Sequence, residues 1–547
     1  MTGQWATPPD GIVAGYLAAV ARQSGGLPDS YPLPRDKRYP ESRRWLLRWP
    51  GPGAAPLGGT PVDRLSALLL GHAPRRLELV TNAAFAAMNG RPSTVAPFTR
   101  LLPLWFTARR GVPSGGAFHP AELYVVWGGA AGLPAGVYHH DPAHHALELI
   151  RPGASAADLD LLLGDTGPQP RHALVLTCRV WKNAGKYRSF GYQLSLMDTG
   201  VLLGQLAGSS LASRVRLLRR PAPVDALLGL DGEVETAVAV LELPATALGE
   251  AAASALSVPE TEPLPTGVLP APGGLDGDWS NRPEADLAVI ALHQAIRSGT
   301  EPLPAPEAGR PAASEVSQPT ASEASRPAMP GWVPADGEPA PVELPRPVAP
   351  SRAATARRAS ALDLAPGLTV GQLAAICAYA GGHRPEGALA ELTGDRHHPA
   401  LWCLVTQVDG LAPGGYRYDR ERHRLAPTAP ATSTTAVGRL SGLNPVMSTA
   451  GASLFVVVEG QPSIDQLDPV ALRDLYLRTG ATVQLAALAA ATVGAATRPL
   501  GGFDTQAATE ALRLPPGAVP LLQLLLGRPK PRAGALAVAL TEGSADA

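Results

Sequence analysis

Three blocks in the second half of the chain repeat three blocks of the first half at nearly constant spacing. The stretch GVYHHDPAHHAL (136–147) aligns without a gap to GGYRYDRERHRL (414–425), pairing Tyr138 with Tyr416, Asp141 with Asp419, His145 with His423 and Leu147 with Leu425 at an offset of 278 residues. HPAELYVV (119–126) meets HPALWCLV (398–405) at 279, and DTGVLLGQLA (198–207) meets RTGATVQLAA (478–487) at 280. Such a period constrains the fold before any single residue does, because a repeated sequence unit is one structural unit used again. Two copies in one chain are expected to pack as an internal pseudo-dimer, since related units inherit a self-complementary interface.

The 547 residues exceed what one core usually serves. From 63 to 245, helical apolar segments such as DRLSALLLGH mix with β runs (ELYVVW, HALVLTCRVW, TAVAVLEL), and the same α+β patterning returns from 362 to 541. Between them 13 of the 50 residues from 301 to 350 are proline, interleaved with Ala, Glu and Ser, a composition that cannot offset its chain entropy by burial. The expected division is an irregular N-terminal arm at 1–60, a first domain at 61–249, a largely disordered linker at 250–355 and a second domain at 356–547. One helix is expected in the linker, at PEADLAVIALHQAIRS.

Charge excludes some partners. With 46 basic against 47 acidic residues, no whole-chain field draws nucleic acid or an anionic membrane. The most apolar window, ATVQLAALAAATVGAAT (481–497), is short and holds Gln484, so a buried helix is expected rather than a span. The N-terminus lacks the basic region of a signal peptide. Cys178, Cys377 and Cys403 are far apart in sequence with no CxxC pair, which suits a reducing compartment, with the cytoplasm as the default.

Chemistry is expected first at Pro113-Ser114-Gly115-Gly116, where proline fixes a dihedral, glycines allow close backbone approach and Ser114 adds a hydroxyl. The residues fit either a loop pressed on a planar or anionic cofactor or a tight turn before a strand. The histidine pairs 139–140 and 144–145 bracket an Asp-Pro turn and read as a solvated hairpin rather than a metal site. Asp198-Thr199-Gly200 reads as the cap of an apolar helix. His119 and its counterpart His398 suit packing, although His119 could line the substrate side, and Glu122 is only a weak candidate.

The ordered set PSGGAFHPAELYVV, GLPAGVYHHDPAHHALELIRPG and KYRSFGYQLSLMDTG resembles the flavin-dependent azoline dehydrogenases (SagB/ThcOx type) of thiazole/oxazole-modified peptide biosynthesis, within the nitroreductase superfamily. The resemblance covers most of 63–245 and, more weakly, 357–535. It implies tandem nitroreductase-like domains with FMN between them. Its phosphate-binding motif corresponds to Arg358 and Ser360, its flavin-flanking segment to Pro499, Gly501, Gly502 and Phe503, and its C-terminal clamp to Lys530 and Arg532. Those lie in the second half, whereas the Pro113–Gly116 loop lies in the first, so together they complete one site. The reciprocal site has ELTGDRHHP (391–399) and LLRRPAPVDALLG (217–229) in the corresponding places and looks broken, which implies one FMN per chain.

The resemblance assigns catalysis to Lys186 and Tyr187. Aromatising an azoline removes a proton and a hydride, and a lysine serves as base only if burial or a neighbouring cation such as Arg188 lowers its pKa from about 10.4. No GxGxxG turn follows a strand, so oxygen is the expected final acceptor. Implied partners are an azoline-containing precursor peptide and the cyclodehydratase of the same pathway; a homo-oligomer is permitted. Rival readings are a nitroreductase-like enzyme acting on another small or carrier-bound substrate, and a non-catalytic scaffold of a peptide-modifying complex.

Overall fold

The computed structural model describes residues 11–21, 43–46, 61–69, 72–81, 103–129, 133–142, 145–154, 156–164, 171–209, 211–244, 287–298, 340–347, 364–394, 398–431, 440, 450–460, 463–530 and 535–539. Two antiparallel sheets flank a pair of long helices. The first sheet runs, neighbour to neighbour, Arg43–Leu46, Ala146–Pro152, Gly136–Asp141, Ala121–Trp127, Arg171–Arg179, Glu235–Pro244 and Arg214–Leu217. The second runs Val342–Glu343, Arg424–Ala429, Gly414–Asp419, Ala400–Val405, Ala452–Val458, Val519–Pro529 and Leu364–Ala365, with Ala496–Leu500 also paired to Val519–Pro529. The central strand Ala121–Trp127 is buried at every position, which is why ELYVVW is apolar without the alternation of a half-exposed strand.

Local details recur in both sheets. A bulge falls between Val137 and Tyr138 and another between Gly415 and Tyr416. Each tyrosine hydroxyl donates to a carbonyl four residues back, Tyr138 to Pro134 and Tyr416 to Ala412, both at 2.7 Å.

The two long helices, Ala184–Ala207 and Pro469–Thr492, show no single apolar stripe: most of their residues are buried, polar ones such as Gln193, Thr199, Thr482 and Gln484 included, because the helices pack on each other and under the neighbouring elements. They pack backbone to backbone. A Cβ added to Gly480 would meet the Met197 carbonyl oxygen and lie 2.8 Å from its carbon, and one added to Gly200 would meet the Leu477 carbonyl oxygen. Farther along, Gln484 Nε2 donates to Gln205 Oε1 at 2.7 Å. The second helix starts sharply because Asp468 accepts from the Ala471 N–H and Pro469 takes the first position.

The expectation of a wholly irregular arm is corrected. Ile12–Ala21 is helical, with Val13, Tyr16 and Ala19 buried, and Arg43–Leu46 adds an edge strand. The linker helix exists as Leu287–Ser298 and is docked, burying Val289, Leu292, His293 and Ile296. The rest of 250–355, apart from 340–347, lies outside the described residues. Near the other end of the chain, Ala535–Ala539 pairs with Pro74–Thr81, tying the last strand to the first half. Among the described residues no helix is long and apolar enough to cross a membrane.

Candidate functional site

The Pro113–Gly116 turn leads into a single 3-10 turn, Gly115–Ala117, and its shape is strained. Gly116, Ala117 and His119 have φ of 63°, 61° and 49°, and only glycine adopts that region freely. What holds the turn is Asp198. Ser114 Oγ donates to Asp198 Oδ2 at 2.6 Å, the Gly115 N–H donates to both carboxylate oxygens at 3.0 and 3.1 Å, and Asn183 Nδ2 donates at 3.1 Å. The His119 N–H donates to Ser114 Oγ at 2.9 Å, and Lys182 Nζ donates to the His119 carbonyl at 3.2 Å. Burial pushes the Asp198 carboxyl up to about 6, against the pull of Ser114, Gly115 and Asn183.

Two expectations change here. Asp198 does not cap a helix; it lies in the middle of Ala184–Ala207, as Arg478 does in Pro469–Thr492. The Ser114 hydroxyl is committed to Asp198, so the loop offers a ligand backbone rather than that proton.

The turn meets first-half aromatic residues, and one of their neighbours meets the second half. A Cβ on Gly116 would lie 3.2 Å from Tyr187 Oη, and the Phe118 and Tyr187 rings stand edge to face with centroids 6.5 Å apart. Tyr187 is 6.3 Å from the Phe190 ring. A Cβ on Gly501 would lie 3.3 Å from Phe190 Cζ. The structure thus brings Gly116, Tyr187 and Gly501 to a partly exposed aromatic patch of Phe118, Tyr187 and Phe190, whereas Pro113 is buried, Ser114 faces Asp198 and Gly115 backs onto Leu194. Gly502 is exposed beside Gly501, and Pro499 lies on the adjoining strand. Phe503 turns the other way, onto Phe455 in the second core, at 5.7 Å. Lys530 is exposed just beyond Val519–Pro529. Lys186 lies on the helix, but its side chain, like Arg358, Ser360 and Arg532, is outside the described residues. Arg188 Nε is buried with no hydrogen-bond partner among the described residues.

At the corresponding place on the other side, the polarity is reversed. Arg478 Nη1 donates to the Leu392 carbonyl at 2.6 Å, where Asp198 accepts from the loop N–H. The helix Ala388–Thr393 docks on Arg214–Leu217, its Glu391 accepting from the Val215 N–H at 2.5 Å.

The hairpin is present, Gly136–Asp141 pairing with Ala146–Pro152, but its histidines are not solvated; His144 lies outside the described residues. His139, His140 and His145 are buried. Ser66 Oγ is 2.9 Å from His145 Nε2, His145 Nδ1 is 3.2 Å from His140 Nε2, His140 Nδ1 is 2.9 Å from His72 Nδ1, and His72 Nε2 is 3.0 Å from the Ala121 carbonyl. Burial drives His72 to about 3, His145 to about 4 and His140 well down, so all three are neutral at pH 7. A carbonyl only accepts, which fixes every proton: Ser66 donates to His145, His145 to His140, His140 to His72 and His72 to Ala121. Glu122 is buried among structural partners, 3.1 Å from His139 Nε2 and 3.6 Å from Arg179 Nη1. Cys377 and Cys403, distant in sequence, are buried with sulfurs 3.8 Å apart.

Sequence reasoning missed Asn183, Phe118, Phe190 and the loop-holding role of Asp198. The available signal was a lone acid in the run LSLMDTGVLLGQLA (194–207), which has no other charge, since an enclosed carboxylate needs donors.

No family model matches the chain. The Trifolitoxin-processing protein TfxB of Rhizobium leguminosarum bv. trifolii is 32% identical over 145 residues, which is 24% of this chain and 38% of that protein's length. Among solved structures, a protein of Anabaena variabilis described as a nitroreductase superposes with a TM-score of 0.65 over 95% of this chain and 100% of its own, at 20% identity. An E. coli microcin synthetase complex aligns over only 30% of this chain and 66% of its own, with a TM-score of 0.26 and 16% identity. The fold is nitroreductase-like.

Proposed function

We propose that the chain is an FMN-dependent dehydrogenase that converts thiazolines or oxazolines to thiazoles or oxazoles in a ribosomally made peptide. One observation carries the reading: a strained glycine loop and Tyr187 from the first half, and Gly501 from the second, converge on one open aromatic patch. These residues fit a flavin, because exposed glycines leave room for a flat ring beside Phe118, Tyr187 and Phe190, and the orphaned Arg188 Nε offers a donor. The Gly115–Gly116 backbone and Gly501–Gly502 would flank the ring. Arg358, Ser360, Lys530 and Arg532 would take the phosphate. Bound FMN supplies a two-electron acceptor for the hydride. Lys186 Nζ takes the proton, while Tyr187 shapes the floor on which the azoline lies.

The recurring strand order, the repeated bulges and the mutual backing of Gly200 on Leu477 and Gly480 on Met197 support a tandem duplication packed as a pseudo-dimer. Where the first half has the Pro113–Gly116 turn on Asp198, the second has Leu392 on Arg478 and Glu391 on Val215, a difference that supports a single FMN per chain. The match to a protein named for trifolitoxin processing favours a substrate that is itself being processed. A precursor peptide and the cyclodehydratase that installs its azolines are then the partners.

The test is cofactor release and counting, followed by oxidation of an azoline peptide read as a loss of two hydrogens by mass. We expect one FMN per chain and, for Lys186→Ala, bound FMN with oxidation reduced by about 100-fold or more, the scale of a lost general base. Two FMN per chain, or full activity in that variant, sinks the reading.

A further inference from the structure

The first central helix is broken at Arg188, whose φ of 48° and ψ of −134° lie far from helical values. The short turn before the break, carrying Lys186 and Tyr187, folds back onto Gly191, where an added Cβ would come within 2.8 Å of the Ala184 N and Cα. Sharp kinks have identifiable causes, among them a side chain entering the helical hydrogen-bond ladder.

Such a side chain is present. Tyr16 Oη receives the Gln193 N–H at 3.1 Å and donates to the Ser189 carbonyl at 3.3 Å. Those two groups are one helical turn apart, the pair that a regular helix joins directly. Ser189 is also the residue that follows the break. Tyr16 is fully buried, and burial raises its hydroxyl well above its ordinary pKa, so it stays neutral and can donate and accept at once. It comes from Ile12–Ala21, in a stretch whose sequence shows no long period. The same turn is held from a second side: Tyr192 Oη donates to His293 Nδ1 at 3.1 Å, and His293 Nε2 donates to the Gly232 carbonyl at 2.8 Å.

We propose that Tyr16 is a positioning residue for the Lys186–Tyr187 turn: by bridging Ser189 and Gln193 it keeps the helix open at Arg188 and so sets where the two preceding residues point. What the turn does rests on the dehydrogenase reading; how the turn is held rests on geometry alone. The N-terminal helix is then a working part of the site, and anything that lifts it off the central helices turns the site off.

The experiment uses the full chain with FMN in excess. Tyr16→Phe keeps the ring and removes the bridge. The expected result is a kcat lowered by about tenfold or more with KM unchanged, since misplacement by ~1 Å can cost up to ~100-fold. Amide exchange across residues 187–193 should also change. The control is Tyr379→Phe, which removes a hydroxyl from the Gly208 carbonyl (3.5 Å) at the far end of the same helix and should leave both readouts as in the wild type. Unchanged exchange in Tyr16→Phe overturns the proposal, as does altered exchange with unchanged kcat. If the wild-type chain binds FMN but oxidises no azoline, the dehydrogenase reading falls, and the exchange comparison alone decides whether Tyr16 holds the kink.

Discussion

Gly480→Ala tests whether the two central helices touch through their backbones, and the sign of the effect is the answer. In an ordinary helix interior, replacing glycine by alanine stabilises by about 1 kcal/mol. At Gly480 the new Cβ would lie 2.8 Å from the Met197 carbonyl carbon and 2.9 Å from the Val201 nitrogen, and closer still to the Met197 oxygen. Carbon atoms rest at about 3.5–4.0 Å, so the helices must part by ~1 Å, and a gap of that size forfeits a quarter to a half of each contact. If about 50 atom pairs cross this interface at ~0.15 kcal/mol each, losing a third of them costs ~2.5 kcal/mol. Added local repulsion brings the cost to roughly 3 kcal/mol, the upper end of overpacking penalties. Setting the alanine gain against it leaves a net loss of about 2 kcal/mol, or a Tm lower by about 2 °C, since 1 kcal/mol is worth ~1 °C in a chain of this length. The assay is calorimetric Tm beside Gly371→Ala, a helical glycine whose added Cβ would have only Thr369 Oγ1 within 4 Å, at 3.8 Å. That control should be neutral or stabilising. A Tm for Gly480→Ala that matches or exceeds the wild type refutes the close backbone packing.

Two pH effects follow from buried groups. Protonation of the Asp198 carboxylate below about pH 6 removes the charge that its three donors share and keeps the Ser114 contact only with its direction reversed, the carboxyl then donating to Ser114 Oγ, so the bonds that hold the loop weaken. The near-ultraviolet signal of Phe118 and Tyr187 should therefore titrate near pH 6 and cease to do so in Asp198→Asn; persistence in that variant excludes Asp198 as the source. The second effect is on stability. His72, His145 and His293 are held at about 3, 4 and 4, below the unfolded value of 6.5, so the native state binds fewer protons in that window and stability falls as pH drops below 6.5. At pH 5 each contributes a loss of ~2 kcal/mol, or ~6 together. Asp225 and Asp198, raised to about 7 and 6, oppose this because the native state binds more protons there, returning ~4 kcal/mol. The net expectation is a loss of ~2 kcal/mol, with His140 adding in the same direction. Equal or greater urea resistance at pH 5 than at pH 7.5 would count against the neutral histidine chain.

Much of the architecture was legible in the sequence because it is periodic. The repeat at 278–280 predicted corresponding elements, and HPAELYVV with HPALWCLV, and DTGVLLGQLA with RTGATVQLAA, do fall on central strands and central helices. PSGGAF read as a loop because proline and glycine act locally. The arm did not read as structure because Ile12–Ala21 owes its place to docking: its buried face meets helices that are remote in the chain. The histidines misled for a related reason. A polar run beside Asp-Pro suggests solvent, and only the fold reveals that Ser66, His72 and the Ala121 carbonyl satisfy it internally.

The division has a physical basis. Period, turn chemistry and apolar content act over a few residues, so sequence alone determined most element types and the glycine loop. Which polar group answers which is settled across long separations. Asp198 holding Gly115, Arg478 holding Leu392, Tyr16 bridging Ser189 and Gln193, and Gly501 facing Phe190 were decided only when the two sheets closed on the paired helices. Enclosure there leaves each buried donor or acceptor only the partners within reach.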